Sequence, residues 1–136
     1  MFDEFEIKEG VILRNKFVVA PMTTWASNDD LTVSEEEINY YTARAKDAGM
    51  VITASAHPQP NGQTFKNQFY GGDDVYIPSL RQLAESIQKQ GAKAILQIQH
   101  GGRQAIPMNG ELVSASAVKP VFNPQGPVED MPLPRP

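Results

Sequence analysis

Three short apolar runs separated by helix-patterned stretches constrain this chain more than any other feature. FVVA at 17–20, MVITA at 50–54 and KAILQIQ at 93–99 each end within a few residues. A run as uninterrupted as Phe17 to Ala20 predicts a strand covered on both faces, as in parallel sheets. After the first run, Ser34-Glu35-Glu36-Glu37 spells a capping box. The serine oxygen accepts the Glu37 N–H, and the Glu37 side chain reaches back to the Ser34 N–H. Three carboxylates in that first turn also suit the positive end of a helix dipole. Ile38, Tyr41, Ala45 and Ala48 then share one helical face, with Gly49 expected as a left-handed cap. After the second run, Pro78 suits a first helical turn, Leu80, Leu83 and Ile87 form an inner stripe, and Gly91 stops it. Residues 1–12 hold two alternating pieces around Glu9-Gly10, which read as a hairpin.

The expected order is hairpin, strand, helix, strand, helix, strand, then a long loop. Strands alternating with helices imply parallel pairing through right-handed crossovers. No G-x-G-x-x-G follows the first strand, so a dinucleotide-binding doubly wound sheet has no support. Two α/β architectures stay open on pattern alone. One is a flavodoxin-like sheet; the other is the opening two and a half units of a (β/α)8 barrel, which normally needs about 250 residues.

Composition narrows the chemistry. The chain has 136 residues, a net charge of −4 and no cysteine, so disulfides, iron–sulfur clusters and thiolate zinc sites are excluded. The acidic balance and the lack of a basic stripe argue against nucleic acid. No apolar run approaches the roughly 20 residues that span a bilayer, and the acidic start lacks a signal-peptide pattern. A cytoplasmic protein without membrane or nucleic-acid partners is therefore expected. Six of the 11 prolines fall between Pro120 and Pro136. Proline can neither continue a helix nor sit inside a sheet, so 104–136 reads as a long proline-rich loop after the third strand. The chain is expected to stop before its fold does.

In either architecture, ligands bind beyond the C-terminal ends of the strands. The first strand delivers Pro21, Met22, Thr23, Thr24 and Trp25 there. The second delivers Thr53, Ala54, Ser55, Ala56 and His57, and the third Gln97, Gln99, His100 and Arg103. This set offers hydroxyls, amides, small residues, an aromatic wall and a fixed cation. It contains no carboxylate pair, no nucleophile–base pair and no metal cluster, so it suits a flat heteroaromatic cofactor better than hydrolysis. Plainer roles stand beside these. His57 before Pro58 reads as an exposed loop histidine, Trp25 as core, and Gln97 and Gln99 as rim residues facing water. A glutamine inside an apolar strand needs a partner, which favours a ligand. Arg103, just past two glycines, is placed to face an anionic or electron-rich ring.

The pieces LRNKFVVAPMTTW, YYTARAKDAGMVITASAHPQPNGQ, GAKAILQIQHGGRQA and LVSASAVKP, which together cover nearly all of 7–120, carry a resemblance. They resemble, in order and spacing, the N-terminal part of the Old Yellow Enzyme family, FMN-dependent NADH:flavin oxidoreductases built on a (β/α)8 barrel. The resemblance implies that residues 1–136 are the N-terminal part of one FMN-binding barrel domain: the hairpin, the first three strands and two helices. It implies that Pro21, Met22 and Thr23 line the flavin, the Thr23 hydroxyl bonding the carbonyl near N5 and tuning the potential. Ala54 matches the small residue at the ring edge, Gln97 the amide on the pyrimidine side, and Trp25 an aromatic near the substrate. His100 and Arg103 match an H-x-G-R segment beside the site.

By the same resemblance, NADH or NADPH is the hydride donor and a small electron-poor molecule such as an activated alkene is the acceptor, with hydride passing through flavin N5. The family's substrate-anchoring histidine pair, tyrosine proton donor and phosphate loops follow later strands and have no counterpart here. This stretch alone is therefore not expected to hold FMN tightly or turn over. The alternative is an inactive barrel fragment acting only by self-association or partner pairing. Three unclosed parallel strands would expose an edge that proteins cover, so a homo-oligomer or the remainder of the barrel is the expected partner.

Overall fold

The two alternating N-terminal pieces pair as the sequence predicts. The computed structural model describes residues 1–106, 111–122 and 126–136. In it, β1 (Phe5–Lys8) and β2 (Val11–Leu13) form an antiparallel hairpin. Gly10 makes the turn at φ +76°, a left-handed conformation that costs glycine nothing, and its N–H donates to Glu6 Oε1 at 2.8 Å.

Three strands follow as one parallel sheet: β3 (Val18–Val19), β4 (Met50–Ala56) and β5 (Lys93–Ile98). Their spatial order is their sequence order, with β4 in the middle. A flavodoxin-like sheet instead places its first strand between the second and third. That alternative is thereby excluded for these strands. The sequential order is the one a (β/α)8 barrel uses.

Helices α1 (Glu35–Ala45) and α2 (Ile77–Gln88) connect the strands. The capping box is formed as expected, with Ser34 and Glu37 satisfying each other's N–H groups. Both helices pack on one face of the sheet, burying Tyr41, Ala45, Val51, Leu83 and Ile87 in a common core. Gly91 sits at φ +88°, the left-handed residue that ends α2.

Gly49 corrects the sequence expectation. The helix ends at Ala45, and Gly49 is not left-handed. It must be glycine for a different reason: a Cβ there would lie 2.2 Å from the Asn15 carbonyl oxygen. The backbone crosses so closely because Gly49 N–H donates to Phe17 O (2.9 Å) while Gly49 O accepts from Lys93 N–H (2.9 Å).

Arg14 ties these parts together. Its guanidinium donates to the carbonyls of Ala45, Lys46 and Ala48 at the end of α1 and of Gln90 at the end of α2. A cation at two helix C-termini satisfies orphan carbonyls and complements both dipoles.

The strands are not covered on both faces, contrary to expectation. Val19 and Ala94 pack on the helix side, so the alternating Val18, Ile95 and Gln97 face the other way. Val18 is 47% exposed and Ile95 43% exposed, while Ser55, paired with Gln97 nearer the C-terminal end, is buried beneath Gln68. An apolar groove also runs along each sheet edge. One, of about 350 Å3, is lined by Phe2, Phe17 and Val18; the other, of about 120 Å3, by Leu83, Ile87 and Leu96. Among the described residues, no helix is long and apolar enough to cross a membrane.

After β5 the chain folds back on itself. Ala105, Leu112 and Met131 form a small separate cluster, Val113 pairs with Arg135, and Pro134 is buried. Arg135 also bonds Glu111 at 2.8 Å. Pro107 and Pro124 of the expected loop lie outside the described residues.

Two predictions follow from the helix ends. Gly49→Ala should destabilise the fold by about 1–3 kcal/mol, read as a lower urea midpoint, because the Asn15 backbone must move. Arg14→Met keeps the aliphatic stem but leaves four carbonyls without their donor, and should cost about 2 kcal/mol or more by the same measurement.

Candidate functional site

Because β3, β4 and β5 run parallel, their C-terminal ends emerge together, and the loops that follow them form one surface. Pro21 has no N–H to continue the β3 ladder and releases the chain into the first loop. There Thr24 turns inward: its hydroxyl donates to Glu37 Oε1 at 2.5 Å. Ser27 donates to Glu37 Oε2 at 2.9 Å, and the Ser34 N–H reaches the same oxygen at 3.3 Å. Glu37 is fully buried by this arrangement. Met22 and Thr23 are left exposed on the loop, and Pro21 is half-buried.

Trp25, between the two anchored residues, takes φ +51°. A bulky side chain in this region stores about 1–3 kcal/mol of strain, and such residues cluster at functional sites. The residue was expected as core or as a wall; it is 64% exposed. Its ring meets Phe65 edge-on, with centroids 5.9 Å apart and planes at 70°.

In β4 the pairing with β5 slips between Ile52 and Ser55. The slip frees the Ala54 N–H, which donates to the Tyr41 hydroxyl at 2.6 Å, while the Ala54 carbonyl accepts from Thr53 Oγ1 at 2.8 Å. Ala54 is buried, and its N–H is already engaged with α1. Burial pushes the Tyr41 hydroxyl up to about 12, so it stays protonated.

The two glutamines of the third run part ways. Gln99 accepts from Ser55 Oγ at 2.7 Å, and Ser55 in turn accepts from Gln68 Nε2 at 3.0 Å. Gln68 completes the chain by accepting the Thr64 N–H at 2.8 Å. Gln97 is exposed like Gln99, but among the described residues its side chain has no such partner.

His57 is not the exposed loop histidine the sequence suggested. It is 1% exposed, lies on the Tyr70 ring at 4.7 Å, and has Nδ1 2.9 Å from the Gln59 carbonyl. Burial holds its pKa below the ordinary 6.5, so the ring is neutral at pH 7 and Nδ1–H donates to that carbonyl. The burial was hidden because the loop from His57 to Tyr70 folds over its own first residue, with Gly71 N–H returning to the His57 carbonyl.

His100 packs into the space that Gly62 leaves, since a Cβ on Gly62 would lie 2.6 Å from its ring. Its Nδ1 accepts the Gly102 N–H at 3.0 Å. Arg103 is half-buried and lines, with Gly101, Gly102 and Ser114, a pocket of about 520 Å3.

The three loops are stitched to one another. Ser27 N–H donates to Asn67 O at 3.3 Å, and Asn67 Nδ2 donates to Ser27 O at 2.6 Å. Gly101 N–H reaches Gly62 O at 2.8 Å. Thr23, Trp25, Ala54, Gln97 and Arg103 all lie at or beyond the C-terminal ends of the strands, Thr23 beside Glu36, Glu37 and Tyr40 and Arg103 in its own pocket. The roles of Glu37, Asn67 and Gln68 in building this end of the sheet were not read from the sequence. The capping box identified Glu37 as a helix start, but nothing local signalled its bonds to Thr24 and Ser27.

The donor set fits a flat ring with polar edges. Thr23 and Gln97 are exposed, their neighbours Thr24 and Gln99 are bonded to Glu37 and Ser55, and Val18 and Ile95 are exposed apolar residues of the same sheet. Among the described residues, no group of three or more metal-ligating side chains converges.

Comparison with known proteins agrees with this arrangement. The model of the NADH:flavin oxidoreductase / NADH oxidase family matches residues 1–129. A Bacillus subtilis protein named "probable NADH-dependent flavin oxidoreductase" is 51% identical over 102 residues, covering 75% of this chain and 27% of the relative. The NADH:acrylate oxidoreductase of Vibrio harveyi is 42% identical over 121 residues, covering 87% of this chain and 12% of the relative. The Old Yellow Enzyme structure from Trypanosoma cruzi superposes with a TM-score of 0.76 at 25% identity, covering 87% of this chain and 35% of that one. The chain therefore spans about a quarter or less of the length of these two curated relatives. With its parallel sheet in sequential order and a family match over nearly its whole length, this chain belongs to the NADH:flavin oxidoreductase / NADH oxidase family.

Proposed function

We propose that this chain is the N-terminal part of a closed (β/α)8 barrel that binds FMN and reduces electron-poor alkenes with NADH or NADPH. One observation carries the reading: Thr23 and Gln97 stand exposed at the C-terminal end of a parallel sheet whose free face is apolar, in a chain of a flavin oxidoreductase family. When bound, FMN would supply the redox chemistry, hydride transfer between a nicotinamide and the acceptor.

The chain's own residues bind and orient. Pro21 and Met22 form the floor beside the ring. The Thr23 hydroxyl donates a hydrogen bond that favours the more negative, reduced ring and so raises its potential. Gln97 offers an amide N–H and a carbonyl together, which matches the alternating donors and acceptors of a pyrimidine edge. Ala54 contributes space: it is buried in the core cluster shared by the sheet and the helices, where a larger side chain would overpack. Trp25 forms the wall on the acceptor side, and Arg103 supplies positive charge near the ring. Residues 104–136 serve as the loop after the third strand. The acceptor class is supported by the Vibrio harveyi relative, which is named for acrylate, an alkene conjugated to a carboxylate.

A second reading, a fragment that acts only by self-association, is favoured by one observation. The free face and both edges of the sheet are apolar and uncovered. Both readings require something to cover that face; they differ in whether flavin is bound.

In the full-length protein, Gln97→Ala should weaken FMN binding about tenfold, the equivalent of one lost hydrogen bond of roughly 1.4 kcal/mol, measured by quenching of flavin fluorescence. Unchanged affinity would remove Gln97 from the ring. Residues 1–136 alone should leave FMN fluorescence unquenched at micromolar protein.

A further inference from the structure

We propose that Glu37 is a positioning residue for Thr23, holding the first loop so that the Thr23 hydroxyl meets the flavin at the distance that sets its potential. The inference rests on the flavin reading above and adds the element that makes it work.

A capping box needs only one carboxylate oxygen. Here the oxygens are divided: Oε1 takes Thr24, and Oε2 takes Ser27 as well as the Ser34 N–H that closes the cap. Among the described residues no cation pairs with this fully buried carboxylate. A buried charge without a counterion is retained only where hydrogen bonds compensate it, and three converge on this one. The two side-chain donors stand on either side of Trp25, whose strained φ of +51° needs anchors before and after it. Thr24 is turned in towards Glu37, and the adjacent Thr23 is exposed at a pocket of about 180 Å3 that it shares with Thr24, Glu36, Glu37 and Tyr40.

The carboxylate itself is rigidly placed. Glu37 lies in the first turn of α1, near the positive end of its dipole. That helix is fixed to the middle strand by the bond from Ala54 N–H to the Tyr41 hydroxyl, and its far end is held by Arg14. The loop is therefore registered to α1 through this side chain, in addition to the bonds that tie Ser27 to Asn67 of the next loop. Hydrogen bonds weaken steeply with distance and angle, so slackness in the loop reaches the flavin through Thr23.

The test compares reduction potentials in the flavin-loaded full-length protein for Thr23→Ala, Glu37→Gln, Thr24→Val and Ser27→Ala, with melting temperature measured in parallel. Thr23→Ala should lower the potential. Glu37→Gln and Thr24→Val should lower it in the same direction by less, and Thr23→Ala combined with Glu37→Gln should show no further shift. Thr24→Val leaves the carboxylate and the cap in place, so it serves if Glu37→Gln does not fold. If Thr23→Ala shifts the potential while Thr24→Val and Glu37→Gln change only the melting temperature, Glu37 is a structural cap and the inference falls while the flavin reading stands. If Thr23→Ala leaves the potential unchanged, the assignment of Thr23 to the flavin fails and the role of Glu37 fails with it.

Discussion

The arrangement of both helices depends on Arg14. Two helices packed side by side on a parallel sheet end at the same pole, and their unpaired carbonyls and negative dipole ends accumulate there. One guanidinium drawn from the segment between the hairpin and the sheet answers four of those carbonyls, three at α1 and one beyond α2. Arginine is the residue able to do this, since its planar fork presents several donors without needing to deprotonate or rearrange. The neighbouring Asn15 extends the clamp: Nδ2 donates to Asp47 O at 2.8 Å, and Oδ1 accepts the Phe17 N–H at 3.0 Å. The chain thus enters β3 already docked against the end of α1.

The opposite pole is arranged on the same electrostatic logic with reversed sign. At the N-terminal end of α1, Glu37 meets the positive dipole end and gathers the hydroxyls of the loop after β3. One end of the layer is therefore fastened by a cation, the other by an anion, and only the second lies at the strand C-termini where this fold places its chemistry. The strained Trp25 and the exposed Thr23 occur beside the anion, while the cation's surroundings are closely packed backbone.

Much of the framework was legible because its signals are local. The capping box, the proline at the start of α2, the stop at Gly91 and the Gly10 turn are each written within four residues, and each formed as expected. Gly49 shows the limit. Glycine after a helix is ordinarily a left-handed cap, yet here it answers a backbone 34 residues earlier, which no local pattern reveals. His57 and Gln68 fail to stand out for the same reason, since their partners are fixed by how a long polar loop closes. At the site, the strand ends put Thr23, Ala54 and Gln97 at one end of the sheet. They did not disclose that Ala54 N–H is spent on Tyr41 or that Gln99, unlike Gln97, is tied to Ser55.

The uncovered face separates two demands that exposure alone does not distinguish. Along β5, Ile95 and Gln97 point the same way, two residues apart, so Ile95 lies one layer deeper from the C-terminal end. A barrel interior is filled by layers of branched apolar side chains, and its last layer meets the ligand. On the proposed barrel, Ile95 and Val18 await other side chains of the same fold, whereas Gln97 awaits a polar edge that no apolar layer offers. An apolar partner covering the whole face would bury the Gln97 amide without a hydrogen bond, at a cost of about 1–3 kcal/mol. The pattern of polar residues, Gln97 with Ser55 and Gln99, above an apolar layer therefore favours a face closed by protein below and by a polar heterocycle above, over a face made only for self-association.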